Sequence, residues 1–148
     1  MNDKIMLSIH HIHGERIFSG LKTLEIRKTA PKGSHTYIIY MYETKTPYRG
    51  SGGCLFNGAG AVVGFFKCRV RIKTNAFGSG LYGNSLEENA ARAIIAERAC
   101  LSVDELIKYA NGKDIYGLEV STPIRFPRPR PLSDFGLTRA PQSWQYLK

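Results

Sequence analysis

Lys22, Glu25 and Arg27, with Thr23 among them, put four kinds of polar chemistry into one short stretch, Ser19-Gly20-Leu21-Lys22-Thr23-Leu24-Glu25-Ile26-Arg27-Lys28. The stretch leaves a glycine turn and then alternates polar with apolar residues, the pattern of an extended strand. Strand side chains repeat every second residue, so Thr23, Glu25 and Arg27 share one face while Leu24 and Ile26 point the other way, into a core. Lys22 stands at the strand entrance, where a long side chain reaches either side. An amine, a hydroxyl, a carboxylate and a guanidinium thus gather within about 13 Å. Arginine suits bidentate contact with phosphate, and lysine acts as a point charge. A carboxylate accepts from the exocyclic amino group of a base. In an enzyme, Lys22 or Glu25 would activate water and Arg27 would steady an oxyanion, provided that burial or a neighbouring cation lowers the pKa of Lys22. The structural alternative is a Glu25–Arg27 salt bridge, which contributes little if exposed.

These residues need a scaffold. Ile5-Met6-Leu7-Ser8-Ile9 reads as a first strand, and His10 to Leu21 as a short helix with an apolar stripe of Ile12, Ile17, Phe18 and Leu21 and a stop at Gly20. The organising strand ends at the turn Pro31-Lys32-Gly33. Thr36 to Tyr42 is β-branched and aromatic, a third strand. Pro47 to Gly60 is glycine-rich and reads as a loop. Ala61 to Lys73 reads as one long strand. Phe66, Cys68, Val70 and Ile72 lie on one side of it, and Lys67, Arg69, Arg71 and Lys73 on the other, a solvated face or a track for a polyanion. Capping boxes at Ser85-Leu86-Glu87-Glu88 and Ser102-Val103-Asp104-Glu105 open two helices. The first runs to about Ala99, with Leu86, Ala90, Ala93 and Ile94 at helical spacing. The second turns Leu106, Ile107 and Tyr109 inward and closes at Asn111-Gly112. Ile115 to Val120 is a further strand, followed by Ile124-Arg125-Phe126. The proline-rich tail from Pro127 is excluded from a central strand and reads as a stiff edge segment, with Arg128 and Arg130 as phosphate contacts. One domain accounts for the 148 residues.

Composition narrows the partners. Twenty-one Lys and Arg against 12 Asp and Glu give a formal charge of +9. Such an excess concentrates polyanions, so nucleic acid is the first partner to consider. Cys54, Cys68 and Cys100 are odd in number and lack C-x-x-C spacing, as reduced thiols of a cytoplasmic protein do. No apolar run reaches the ~18 residues of a membrane span, and no signal-peptide pattern precedes the first strand. Gly78-Ser79-Gly80-Leu81-Tyr82-Gly83 matches G-x-G-x-x-G, but it does not follow its strand directly and opens no βαβ unit, so it reads as a flexible connection. His10, His11 and His13 have no carboxylate or cysteine placed by sequence to complete a metal site. Pro127-Arg128-Pro129-Arg130-Pro131 lacks P-x-x-P spacing. Neither G-x-S-x-G nor a Walker A motif occurs. No metal and no cofactor is expected.

Gly20-x-Lys22-x-x-Glu25-x-Arg27, placed after an N-terminal strand and short helix, resembles the ASCH family (activating signal cointegrator homology domains) of the PUA-like superfamily. Leu7-Ser8-Ile9, Ile17-Phe18-Ser19-Gly20, Val62-Val63-Gly64, Pro131-Leu132-Ser133-Asp134-Phe135-Gly136 and Ala140-Pro141-Gln142-Ser143-Trp144-Gln145-Tyr146 add to the resemblance, the last two being similar to a tail of bacterial and phage-borne members. The resemblance implies an α+β fold: a small, mixed or antiparallel PUA-like β-barrel with helices at its openings and a cleft between them. It also implies binding of RNA or a modified nucleotide. Some members are ribonucleases, and one branch is an amidohydrolase of acetylated cytidine with a catalytic lysine, threonine and glutamate. Lys22 matches the lysine. The threonine position falls on Glu25, with Thr23 close by, and Glu97 is the nearest candidate for the glutamate. The candidate ligand contacts are therefore Lys22, Glu25, Arg27, His11 beside Lys22, Tyr40, Tyr42 or Trp144 to stack on a base, Arg69 and Gln142. Three functions remain: a module for RNA or a modified nucleoside, a metal-free amidohydrolase or ribonuclease in the same cleft, or an adaptor docking a protein. The protein is expected to be a monomer or homodimer.

Overall fold

The structure is a computed structural model and describes residues 3–46, 57–78 and 85–148. In order along the chain come β1 (Lys4–Ile9), α1 (His11–Phe18), β2 (Leu24–Arg27), β3 (Tyr37–Glu43), β4 (Ala61–Cys68), β5 (Arg71–Thr74), α2 (Leu86–Ala99), α3 (Val103–Ala110), β6 (Ile115–Glu119), β7 (Ser121–Arg130) and β8 (Trp144–Tyr146). A 3₁₀ turn (Leu132–Phe135) lies between the last two strands. The fold is α+β, with these eight strands in two sheets. The larger has the order β7-β4-β3-β1-β8, the smaller β2-β6-β5. β1 runs parallel to β3 and every other pair is antiparallel. A parallel pair needs a crossover connection. Here the crossover contains α1 and β2, and so carries the stretch richest in polar chemistry.

Three apolar clusters hold the elements. Ile5, Leu7 and Ile9 of β1 pack with Ile39 and Met41 of β3, Phe66 of β4 and Ile17 of α1. Leu24 and Ile26 of β2 are buried with Ala96 and Ala99 of α2, Leu106 and Ala110 of α3, and Ile115 of β6. This is the inward direction that the alternation assigns them. On the other side of the large sheet, Met6, Val62 and Leu147 are covered by Tyr40, Tyr42, Phe126 and Phe135.

The stretch from Ala61 to Lys73 is two strands rather than one. β4 pairs with β3 and β7, β5 pairs with β6, and the chain passes between the sheets at Arg69-Val70. Val70 is consequently exposed, and its carbonyl accepts from the Glu119 amide (2.9–3.0 Å is usual; here 3.0 Å). The row of four cations is therefore broken. Lys67 and Arg69 are exposed, Lys73 pairs with Asp114 at 3.6 Å, and Arg71 donates to the His35 carbonyl at 2.7 Å while lying over the Tyr37 ring. Both capping serines accept from the backbone amide three residues on, and Ser102 with Glu105 completes the reciprocal box. In α2 the apolar positions Leu86, Ala90, Ala93 and Ile94 are exposed, because the helix sits on the small sheet through Ala96 and Ala99. Ile107 is likewise exposed, and Leu21, beyond the shorter α1, is 69% exposed. The proline-rich tail forms edge strand β7, which pairs with β4 alone. Most of the glycine motif at 78–83, most of the 47–60 loop and Cys54 lie outside the described residues.

Candidate functional site

The crossover leaves a cleft of about 900 Å³ between the two sheets and α3. Its floor carries Lys22, Glu25 and Arg27, its near wall Ser8, His10, His13, Thr44 and Thr46, and its far side Glu105, Lys108 and Tyr109 of α3 with Lys28. Gln142 and Ser143 close one end.

Lys22 is 1% exposed despite its charge. Its loop is fixed at both sides: the Lys22 amide donates to the Arg16 carbonyl and the Thr23 amide to the Arg98 carbonyl, each at 2.9 Å. The side chain runs under the C-terminal end of α2, where Nζ donates to the Ala99 carbonyl, and Nζ lies 3.4 Å from Oε1 of Glu25. Glu25, in the middle of β2, is 5% exposed. Its Oε2 accepts from Nε of Arg27 at 3.0 Å and Nη2 at 2.7 Å. The rest of the guanidinium is equally engaged: Nη2 donates to the Ser8 carbonyl at 2.7 Å, and Nη1 to the Ser143 carbonyl and hydroxyl at 3.3 and 3.2 Å. Every N–H of Arg27 thus meets an acceptor. Arg27 ties β2 to β1 and to the segment before β8, and holds Glu25 in place.

Charge follows from this packing. Burial would raise the pKa of Glu25, but Arg27 and Lys22 outweigh it and hold the carboxyl at about 2. Burial lowers the pKa of Lys22 against the pull of Glu25. His13, 7% exposed on α1, is lowered to about 4 by burial and by the charge of Lys22. Near neutral pH the floor therefore holds an ionised carboxylate and two basic groups, with the neutral imidazole of His13 on the near wall. Burial raises the pKa of Tyr109, and Nζ of Lys28 lies 5.0 Å from the centre of its ring.

The structure brings together Lys22, Glu25, Arg27 and Gln142, and separates the other expected contacts. Thr23 precedes β2, and its hydroxyl accepts from Nε of Arg98 at 3.1 Å, outside the cleft. Glu97 is exposed on α2. His11 turns to Glu43, while its neighbours His10 and His13 line the cleft. Tyr42 packs on the far side of the large sheet. Trp144 packs against the main core, its Nε1 donating to the Thr29 hydroxyl at 3.0 Å. Arg69 borders a separate hollow of about 480 Å³ with Pro31 and Tyr116. Lys28, Glu105, Lys108 and Tyr109 line the cleft without being among the expected contacts, and His10 and His13 line it in place of His11. Only the capping box at Ser102 fixed the phase of α3, and it did not reveal which face meets β2.

No family model and no curated protein sequence matches the chain. Solved structures do. The ASCH protein from Zymomonas mobilis superposes with a TM-score of 0.73 at 18% identity, covering 100% of this chain and 90% of its own. Two single-substitution variants of that protein give 0.72 and 0.69, also at 18% identity, covering 99% of this chain and 89% and 91% of theirs. The α+β scaffold of this chain thus has the ASCH fold.

Proposed function

We propose that the protein binds RNA or a modified nucleoside in this cleft, on a scaffold that we read as a PUA-like barrel wall. The observation that carries the reading is the buried chain Lys22–Glu25–Arg27 opening into about 900 Å³, a volume in the range of small-molecule sites. Lys22 and Glu25 face a base edge, the lysine donating and the carboxylate accepting. Arg27 positions Glu25. Tyr109 offers a ring for stacking, and Lys28 and Lys108 meet phosphate at the rim. Among the described residues of the lining, four cations stand against two carboxylates, Lys22, Arg27, Lys28 and Lys108 against Glu25 and Glu105, and this favours an anionic guest.

The test is fluorescence anisotropy with labelled single-stranded RNA, and calorimetry with nucleosides. Binding is expected to weaken with salt, and Lys28→Ala and Lys108→Ala are each expected to reduce the salt slope by about 1. Lys22→Met should abolish nucleoside binding. A flat salt response together with no nucleoside binding would overturn the reading and favour the adaptor.

A second reading has its own support: a lysine whose pKa is lowered by burial, 3.4 Å from an ionised carboxylate. In a hydrolase, Lys22 in its neutral form or Glu25 would take a proton from water as its oxygen attacks an amide or phosphoryl centre, and would pass that proton to the leaving nitrogen or oxygen as its bond to that centre breaks. Incubation with acetylated cytidine and with single-stranded RNA tests this reading. Turnover that disappears in Lys22→Met and Glu25→Gln would favour the hydrolase over the binding module.

A further inference from the structure

We propose that His11, Glu15 and Glu43 form a site for one divalent transition-metal ion, of the zinc or manganese class, beside the cleft but outside it. His11 and Glu15 are one helical turn apart on α1 and so share a face. The parallel β1–β3 register sets Ile9 opposite Glu43, which brings the end of β3 against the first turn of α1. Nδ1 of His11 lies 2.9 Å from Oε1 of Glu43, and one ligand atom from each of the three residues lies within 4.8 Å of the others.

The surroundings shape a socket. Glu43 is 4% exposed, and its Oε1 accepts from the Ala59 amide at 2.8 Å. Gly58 passes close by: a Cβ there would lie 2.8 Å from Cγ of Glu43, so only a glycine fits beside this side chain. On the helix side Gly14 stands beside Oε2, which a Cβ there would touch at 3.8 Å. A buried carboxylate beside a second carboxylate carries a repulsion that a cation between them removes. Arg125 meets that need from the outside for Glu15, at 2.9 Å, and it also lies 4.3 Å over the Phe18 ring. An ion drawing Glu15 toward Glu43 leaves Arg125 on that ring. Among the described residues the group offers one imidazole nitrogen and two carboxylates and no thiolate, donors that zinc and manganese accept. The ion would clamp the start of α1 to the end of β3. The adjoining residues His10 and Thr44 line the cleft, and His10 Nδ1 lies 2.9 Å from the Thr46 carbonyl, so the ion would stiffen that wall.

The test is calorimetric titration of chelator-treated full-length protein with zinc chloride, followed by the absorption spectrum of the cobalt(II) form. One ion per chain is expected, without a thiolate charge-transfer band, and zinc should raise the thermal midpoint. His11→Asn and Glu43→Gln should each weaken binding by at least about tenfold. Glu15→Gln, at a half-exposed position, should do the same without threatening the fold. Absent binding, affinity unchanged in His11→Asn and Glu15→Gln, or a cobalt–thiolate band would overturn the proposal.

Discussion

Replacing Glu25 with glutamine should cost far more stability than replacing Lys22 with methionine. Glu25 faces Lys22 at 3.4 Å and takes two bonds from Arg27, at 3.0 and 2.7 Å, in a site where it is 5% exposed. Its carboxyl is held at about 2 against an ordinary 4.5. At 1.36 kcal/mol per pKa unit, ionisation of this group favours the fold by about 3 kcal/mol. Glutamine leaves two buried basic groups without an anion, so a loss of about 3–5 kcal/mol is expected. Methionine at position 22 fills much of the lysine's volume and removes a charge that burial already disfavours. It gives up the bond to the Ala99 carbonyl and leaves the Glu25–Arg27 pair whole, so about 1 kcal/mol is expected. Equilibrium urea unfolding measures both losses. At about 2–4 °C per kcal/mol for a chain of this size, the thermal midpoint should fall by roughly 6–20 °C in one variant and by a few degrees in the other. The reasoning fails if Lys22→Met proves as costly as Glu25→Gln, or if both cost under about 1 kcal/mol. Lys22→Met then becomes the useful probe of the cleft, a folded protein that lacks one contact.

Acid should destabilise the protein in two overlapping stages. His13 stays neutral in the fold, so its contribution is complete above pH 6.5 and lost as pH falls toward about 4, whereas the contribution of Glu25 is complete above pH 4.5 and lost toward about 2; His13→Asn should flatten the first stage of a pH–stability profile. Gly64→Ala should cost at least about 1–3 kcal/mol in a denaturant series, because the new methyl would lie 2.2 Å from the Ile124 carbonyl oxygen and 2.7 Å from the Phe18 ring. Tyr109→Ala should weaken binding of a single-stranded ligand by about ten- to a hundredfold, while Trp144→Ala changes stability and leaves affinity alone.

The polar floor of the cleft was legible because it is local. Lys22, Glu25 and Arg27 belong to one strand and its entrance, and a period of two puts Leu24 and Ile26 underneath. The expected ligand contacts that lie outside the cleft come from elsewhere in the chain. Tyr42 belongs to an expected strand and Trp144 to the tail; in the fold both lie on strands, and the side each faces depends on what covers the sheet. Alternation continues unbroken through Arg69-Val70, so nothing local marks the passage between sheets. Helical spacing of Leu86, Ala90 and Ile94 identified α2 correctly and said nothing of its orientation. Ala96 and Ala99 allow the close approach that decides it. Glu25 and Arg27 do form the salt bridge weighed as the structural alternative, but buried, where it also builds the floor of the cleft.

Arg27 donates to Ser143, a partner 116 positions away in the chain. Contacts this distant form late in folding, since a long loop must close before they yield anything. During synthesis β2 emerges long before the residues that complete its guanidinium's set of acceptors. A nascent chain therefore carries the polar floor without its end wall. Only after residues 141–146 have docked along β1 is the hollow closed at that end, so an incomplete chain cannot offer a guest the finished pocket.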